Sequence, residues 1–306
     1  MTTPTTPLRI GLVGTGPWAR NTQAPALAAH PGAVLSGVWG RRAEAAEELA
    51  AAHGATAYTG DAGLDELFGA SDAVAFALPP DVQAPLAARA AAAGCHLLMD
   101  KPVATTVEGA REVAEAAEQA RVASIVFCTL RFAPETADWI AEQGAAGGWF
   151  TAHAEWIGAL WAPGADSEYA ASPWRLEKGG LWDVGPHALS VLIPVLGDVT
   201  ALTAARGPAG THHLVLRHTS GASSTVTLTL AAPVAAAGVG IELRGEHGIV
   251  GLPRWDGAVG AFGAALDALI ESVRTGVAHP CDVRFGLRLT ELLADAEAQA
   301  GEQSGE

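Results

Sequence analysis

From Leu8 to Cys128, short runs of nearly continuous apolar residues (LRIGLV, AVLSGVW, AVAFAL, HLLM and ASIVFC) alternate with alanine-rich stretches. A strand covered on both faces needs apolar side chains at successive positions, and alanine-rich spacers favour helices. The alternation predicts β-α-β units and a doubly wound parallel sheet over residues 1–128. After Arg131 the pattern changes. A helix near 133–143 leads through GAAGG into a strand near Trp149 to Ile157, a Pro/Gly-containing loop and a helix around Asp183. Strict alternation follows, clearest in STVTLTL, where Val226, Leu228 and Leu230 are expected to face a core and Thr225, Thr227 and Thr229 the other side. IELRGEHGIVGL predicts a hairpin turning around Gly245 to Gly248. Helices near 259–274 and 283–300 close the chain. The expectation for 129–306 is an α+β domain with a largely antiparallel sheet. The first few residues and the terminal GEQSGE read as disordered, and no internal repeat is present.

Composition narrows the classes of partner. A length of 306 residues suits two domains. With 33 acidic against 18 basic residues the net charge is −15, and no Lys/Arg cluster could follow a phosphate backbone, so nucleic acid is not an expected partner. Cys95, Cys128 and Cys281 are widely separated, odd in number and outside any C-x-x-C, which suggests neither disulfides nor zinc and points to a reducing cytoplasm. The start lacks a basic, then apolar, leader pattern, and no later stretch of about 20 residues is free of polar breaks. Neither secretion nor a membrane span is expected.

The first apolar run enters GLVGTGPWA, where Gly14, Gly16 and Ala19 fit G-x-G-x-x-G/A. In a strand–turn–helix setting this is the Rossmann fingerprint. The first position permits a tight turn, the second lets the backbone approach a pyrophosphate, and the third allows close packing of the helix, whose free N–H groups favour an anion. The expected cofactor contacts are Gly14, Thr15, Gly16, Pro17 and Trp18, with Leu78 and Pro79 after a later strand. An acidic residue at the end of the second strand would accept the ribose hydroxyls of NAD. Here VWGRR stands instead, with Gly40 removing the carboxylate and Arg41 and Arg42 able to bind a 2′-phosphate. NADP is the preferred cofactor on this reading, with NAD also open, because Glu44 could be recruited to the ribose and the arginines left solvated.

HLLMDKPVATT places Asp100, Lys101 and Pro102 directly after an apolar strand, where ligands meet an open parallel sheet, so Lys101 and Pro102 are further expected cofactor contacts, beside the nicotinamide. From there the Lys101 ammonium could stabilise negative charge on the oxygen of an alcohol or ketone, with Asp100 holding or tuning it. In GGLWDVGPHAL, Asp183 and His187 stand four apart, which on a helix puts both on one face. The residues alone leave two readings open. One is an acid/base pair. The other is a helix capped by Asp183, with Val184, Gly185 and Pro186 in its first turn.

Taken together, GLVGTGPWA, ALPPDVQAPLAARAAAAGCHLLMDKPVATT and SPWRLEKGGLWDVGPHAL resemble, in order and spacing, the motifs of the glucose–fructose oxidoreductase / inositol dehydrogenase / rhizopine-catabolism family, Gfo/Idh/MocA. The resemblance implies a catalytic set of Lys101, Asp183 and His187. His187 would be the general acid/base, Lys101 would polarise the substrate oxygen, and Asp183 would position a substrate hydroxyl or the imidazole. It also implies an open-faced second sheet through which homodimers or homotetramers form. Two departures stand out: Asp100 where the family usually has Glu, and Gln83 where it commonly has His. Arg131 and Arg175 match positions near the family's cleft and could bind substrate or serve structural salt bridges. Trp161 and Trp182 could wall a pocket for a ring-shaped substrate, or pack in the core.

The implied activity is an NAD(P)-dependent dehydrogenase or reductase acting on a secondary alcohol or ketone of a sugar, cyclitol or similar polyhydroxylated ring. Imine or enone reduction, dihydrodiol oxidation, and a non-catalytic dinucleotide-sensing regulator are the alternatives. No metal is expected: H-E-x-x-H is absent, and the adjacent His212 and His213 would face opposite ways on a strand.

Overall fold

The computed structural model describes residues 6–165 and 167–302. It divides into two compact units, Met1–Ala133 with Asp256–Leu287, and Pro134–Trp255 with Arg288–Glu306.

In the first unit β1 (Leu8–Val13) leads through a π-turn (Ala19–Gln23) into α1 (Ala24–Ala29). There follow β2 (Ala33–Trp39), α2 (Ala43–His53), β3 (Thr56–Tyr58), α3 (Gly60–Ala70), β4 (Ala73–Phe76), α4 (Pro80–Ala92), β5 (His96–Asp100), α5 (Val107–Ala120), β6 (Ser124–Phe127) and α6 (Thr129–Phe132). The strands lie in the order β3-β2-β1-β4-β5-β6, and every pair in the sheet is parallel. Continuous apolar runs become strands buried throughout, as in all four residues of β4 and of β6. Only β3 was not legible in the pattern. Three residues, none fully buried, give no periodic signal.

The second unit holds α7 (Pro134–Ala146), β7 (Trp149–Ile157), α8 (Pro173–Leu196), β8 (Val199–Arg206), β9 (His212–His218), β10 (Ser223–Thr229), β11 (Gly238–Gly245) and β12 (Gly248–Gly251). Its sheet runs β12-β11-β7-β10-β9-β8 and is antiparallel except where β10 pairs with β7. Val226, Leu228 and Leu230 are buried, as the alternation required. Thr229 departs from it. The residue is buried, and its hydroxyl donates to the Ala209 carbonyl and accepts from the Ala231 N–H, so the strand end is satisfied inside rather than solvated.

Two helices follow, α9 (Ala258–Thr275) and α10 (Val283–Glu302). Sequence patterning groups everything after residue 128 into one domain, whereas Asp256–Leu287 packs with the first unit. The reason is the apolar face of α9: Ala261, Phe262, Ala265, Leu266 and Leu269 are buried, and the Phe262 ring meets Phe127 of β6 edge-on at 5.0 Å. Of the ends read as disordered, residues 1–5 and 303–306 lie outside the described residues, while Gly301 and Glu302 complete α10. The three cysteines are free and buried. Among the described residues no helix is long and apolar enough to cross a membrane.

Candidate active site

The turn after β1 is shaped by the absence of side chains. Gly14 has φ +128°, and a Cβ there would fall 2.4 Å from the Ala77 carbonyl oxygen, so no other residue fits. At Gly16 a Cβ would meet nothing, which leaves its backbone open to a ligand. Pro17 begins the helical turns, and the Arg20 N–H returns to the Gly16 carbonyl at 3.1 Å.

Above this turn lies a cavity of about 610 Å³. Gly14, Thr15, Gly16 and Pro17 line it from the glycine loop, Arg41 and Arg42 from the end of β2, and Leu78 and Pro79 from the end of β4. Trp18, Lys101 and Pro102 of the expected cofactor contacts are not among its lining residues. Trp18 instead sets its ring 6.3 Å from that of Phe127. Arg20 lines the cavity and was not singled out in the sequence. Its Nη1 donates to the Thr15 carbonyl at 3.2 Å, and the signal was a third arginine one turn into the helix after the fingerprint. Gly40 also lines the cavity, and a Cβ there would lie 2.7 Å from Thr15 Cγ2. An acidic side chain at this position would have to displace Thr15. Glu44 lines a neighbouring hollow of about 330 Å³ with Arg20, Arg42 and Glu48 rather than this one. Open backbone, arginines and a missing side chain at Gly40 fit a dinucleotide whose adenosine ribose carries a phosphate.

Lys101 stands at the end of β5, with its N–H donating to Asp100 Oδ1 at 2.7 Å. Thus Asp100 fixes the lysine's backbone. The Lys101–Pro102 peptide is cis. Arg131 is in α6 of the same unit, with its guanidinium 6.0 Å over the Phe285 ring. The Cys128 thiol lies well above its ordinary value, first through its hydrogen bond with Cys281 and then through burial, against the opposing fields of Lys101 and Arg131. The two cations therefore act on the same point at the end of β6.

In the second unit the paired glycines ahead of Asp183 have separate causes. Gly179, with φ 65° and ψ −160°, breaks α8 into two helical stretches, and a Cβ on Gly180 would lie 2.9 Å from the backbone of Thr229. The second stretch therefore starts at Gly180, and Asp183 lies inside it rather than capping it. Asp183 is therefore not a helix cap, and Pro186 is an interior proline rather than a first-turn one. Asp183 and His187 are both buried on the one helix. Arg175 Nε donates to Asp183 Oδ2 at 2.9 Å, while its guanidinium lies 4.8 Å over Trp174 and 5.3 Å over Tyr169. Of its two open roles, the salt bridge is present.

The His187 imidazole stacks on Trp156 of β7, with centroids 4.6 Å apart and planes 19° apart. Trp156 was not legible as a site residue because the partner lies 31 positions away. Trp161 is half-buried and donates Nε1 to the Ala170 carbonyl at 3.0 Å, closing the loop before α8. Trp182 is fully buried beneath the Lys178 ammonium at 5.0 Å, so it packs the core and offers no wall to a ligand. Among the described residues no three His, Cys, Asp or Glu side chains gather as metal ligands would.

A doubly wound parallel sheet with a glycine cradle at the end of β1 defines a dinucleotide-binding fold. Residues 8–127, rather more than a third of the chain, match the model of the Gfo/Idh/MocA oxidoreductase family, NAD-binding Rossmann fold. Over 113 residues it is 34% identical to dTDP-3,4-didehydro-2,6-dideoxy-alpha-D-glucose 3-reductase of Streptomyces antibioticus, covering 36% of this chain and 33% of that protein. Over 194 residues it is 29% identical to galactose 1-dehydrogenase of Pseudomonas fluorescens, covering 62% and 58%. The matches thus span a third and rather more than half of these curated relatives. The WlbA dehydrogenase from Bordetella pertussis, solved with NADH and UDP-GlcNAcA, shares the fold over 99% of this chain and 98% of its own, at 23% identity and a TM-score of 0.82.

Proposed function

We propose that the protein is an NADP-preferring dehydrogenase or reductase acting on a secondary alcohol or ketone of a sugar, cyclitol or similar polyhydroxylated ring. The observation that carries this reading is the cavity over the glycine loop, lined by Arg20, Arg41 and Arg42 and by no carboxylate. The substrate class rests on the relatives, one named a glucose-derivative 3-reductase and the other a galactose 1-dehydrogenase. A bound nicotinamide supplies the hydride donor or acceptor. Lys101 donates a hydrogen bond to the substrate oxygen and stabilises the charge that grows on it. His187 takes the hydroxyl proton in oxidation and returns it in reduction, its ring held flat by Trp156. Asp183, anchored by Arg175, uses its carboxylate to position a neighbouring hydroxyl. Arg131 and Trp161 serve as further substrate contacts.

The protein works in the cytoplasm as a homodimer or homotetramer joined through the outward face of the second sheet. Support for that face is a row of short side chains in register, Thr203, Val215 and Thr225, beside His153. The test is turnover with NADP or NADPH on a panel of aldoses, inositols and cyclic ketones, followed by nicotinamide absorbance. Turnover of at least one of them, abolished in Lys101→Ala and in His187→Ala while NADPH still binds, is the expected result. Unchanged turnover in both variants would overturn the assignment.

A further inference from the structure

Lys101 and Lys178 are the only lysines among the 18 basic residues. Lys178 is held in the second unit by Glu297, at 3.1 Å, over the face of Trp182. What holds Lys101 is a residue from another element. Gln83 lies in the first turn of α4, directly after Leu78 and Pro79 of the cofactor cavity, and its own N–H bonds the Pro79 carbonyl at 2.8 Å. Its side chain is completely buried. Nε2 donates to the carbonyls of Asp100 at 2.9 Å, Pro102 at 3.2 Å and Val103 at 3.1 Å, and Oε1 accepts from the Asp100 N–H at 2.9 Å. An amide has two N–H donors, so one is shared between carbonyls. With the Lys101 N–H already on Asp100, the backbone on both sides of Lys101 is tied to one side chain.

We infer that Gln83 is the positioning residue of the active site: it couples the cofactor-lining end of β4 to the turn that carries Lys101, and so fixes where the ammonium stands when the dinucleotide is bound. The inference rests on the proposed dehydrogenase reading. The two side chains closest to glutamine in shape do not fill this role. Glutamate has the same shape but, when ionised, only accepts, and it would face three carbonyl oxygens. Methionine leaves all three carbonyls and the Asp100 N–H without a partner. Histidine can donate and accept at once and reaches about as far.

The test needs no substrate, because the chain carries its own control. The protein is acylated with an acetyl N-hydroxysuccinimide ester, with and without saturating NADPH, and modification at Lys101 and Lys178 is read by peptide mass spectrometry. NADPH is expected to protect Lys101 and leave Lys178 unchanged in the wild type and in Gln83→His. In Gln83→Glu and Gln83→Met the protection ratio at Lys101 is expected to fall by about tenfold, the factor that one lost hydrogen bond carries, while nicotinamide fluorescence still reports bound NADPH. Lys178 reports a variant that fails to fold by changing in step with Lys101, and the histidine variant then decides the matter through its ratio alone. Protection in Gln83→Glu and Gln83→Met equal to that of the wild type would overturn the role of Gln83 and leave the dehydrogenase reading intact. Absence of protection in the wild type despite bound NADPH would instead remove Lys101 from the cofactor's side, and the role of Gln83 with it.

Discussion

The two units hold the polar groups of the proposed site in opposite ways. In the first, side chains are taken away: Gly14 has no room for a Cβ, at Gly40 one would press on the Thr15 side chain, and the backbone at Gly16 is bare. In the second, side chains hold side chains: Arg175 grips Asp183, and Trp156 lies flat on His187. A site made of backbone is damaged by adding atoms, and a site made of partnered side chains is damaged by removing them. The difference also governs what a mutation costs, since the first kind of damage falls on binding and the second on both stability and chemistry.

The largest effect should come from Gly14→Ala. Positive φ and a carbonyl 2.4 Å from the new Cβ force the loop to move, and NADPH affinity is expected to fall by roughly 100-fold, equivalent to ~2.7 kcal/mol, in a fluorescence titration. An affinity within threefold of wild type would break the contrast, because the cradle would then tolerate added atoms. Next is Asp183→Ala, which strands a mostly buried guanidinium. A stability loss of about 2 kcal/mol is expected in urea unfolding, less than for a fully dry pair because Arg175 keeps some solvent and its two aromatic faces. NADPH binding should hardly change.

The smallest effect is common to both units. His96 and His279 in the first, and His212 and His218 in the second, have pKa values lowered from 6.5, each chiefly by burial. The unfolded chain therefore takes up protons that the folded chain refuses. Stability should be complete above pH 6.5 and decline as the pH falls below it toward the lowered values. A denaturant midpoint that stays flat from pH 7 to pH 5 would contradict this. Replacing His212 by glutamine should reduce the slope, since one of the four refused protons disappears.

The contrast between the units also explains how much could be read in advance. Gly14, Gly16, Arg41 and Arg42 were legible because a backbone cradle is written locally, in glycines at fixed spacing after an apolar run. The Asp183/His187 face was legible for the same reason, being a matter of helical spacing. Trp156, Arg20 and the packing of α9 were not, because each depends on a partner brought close only by folding: His187, the Thr15 carbonyl and Phe127. Asp183 looked like a helix cap because the kink at Gly179 resets the helix four residues earlier than proline chemistry suggested. Gln83 was visible as a residue but not as a clamp, since its four bonds go to a turn 17 to 20 positions away.

On the proposed reading, side-chain removal at Gly40 and arginine supply around it select a phosphorylated dinucleotide. The most direct measurement is the affinity of the cofactor-free protein for NADPH and for NADH, each with the Arg41→Ala/Arg42→Ala double variant, by nicotinamide fluorescence. Tighter NADPH binding, reduced by about tenfold or more in the double variant while NADH is little affected, is the expected result. Equal affinities in the wild type, or an NADPH affinity untouched by loss of both arginines, would contradict it.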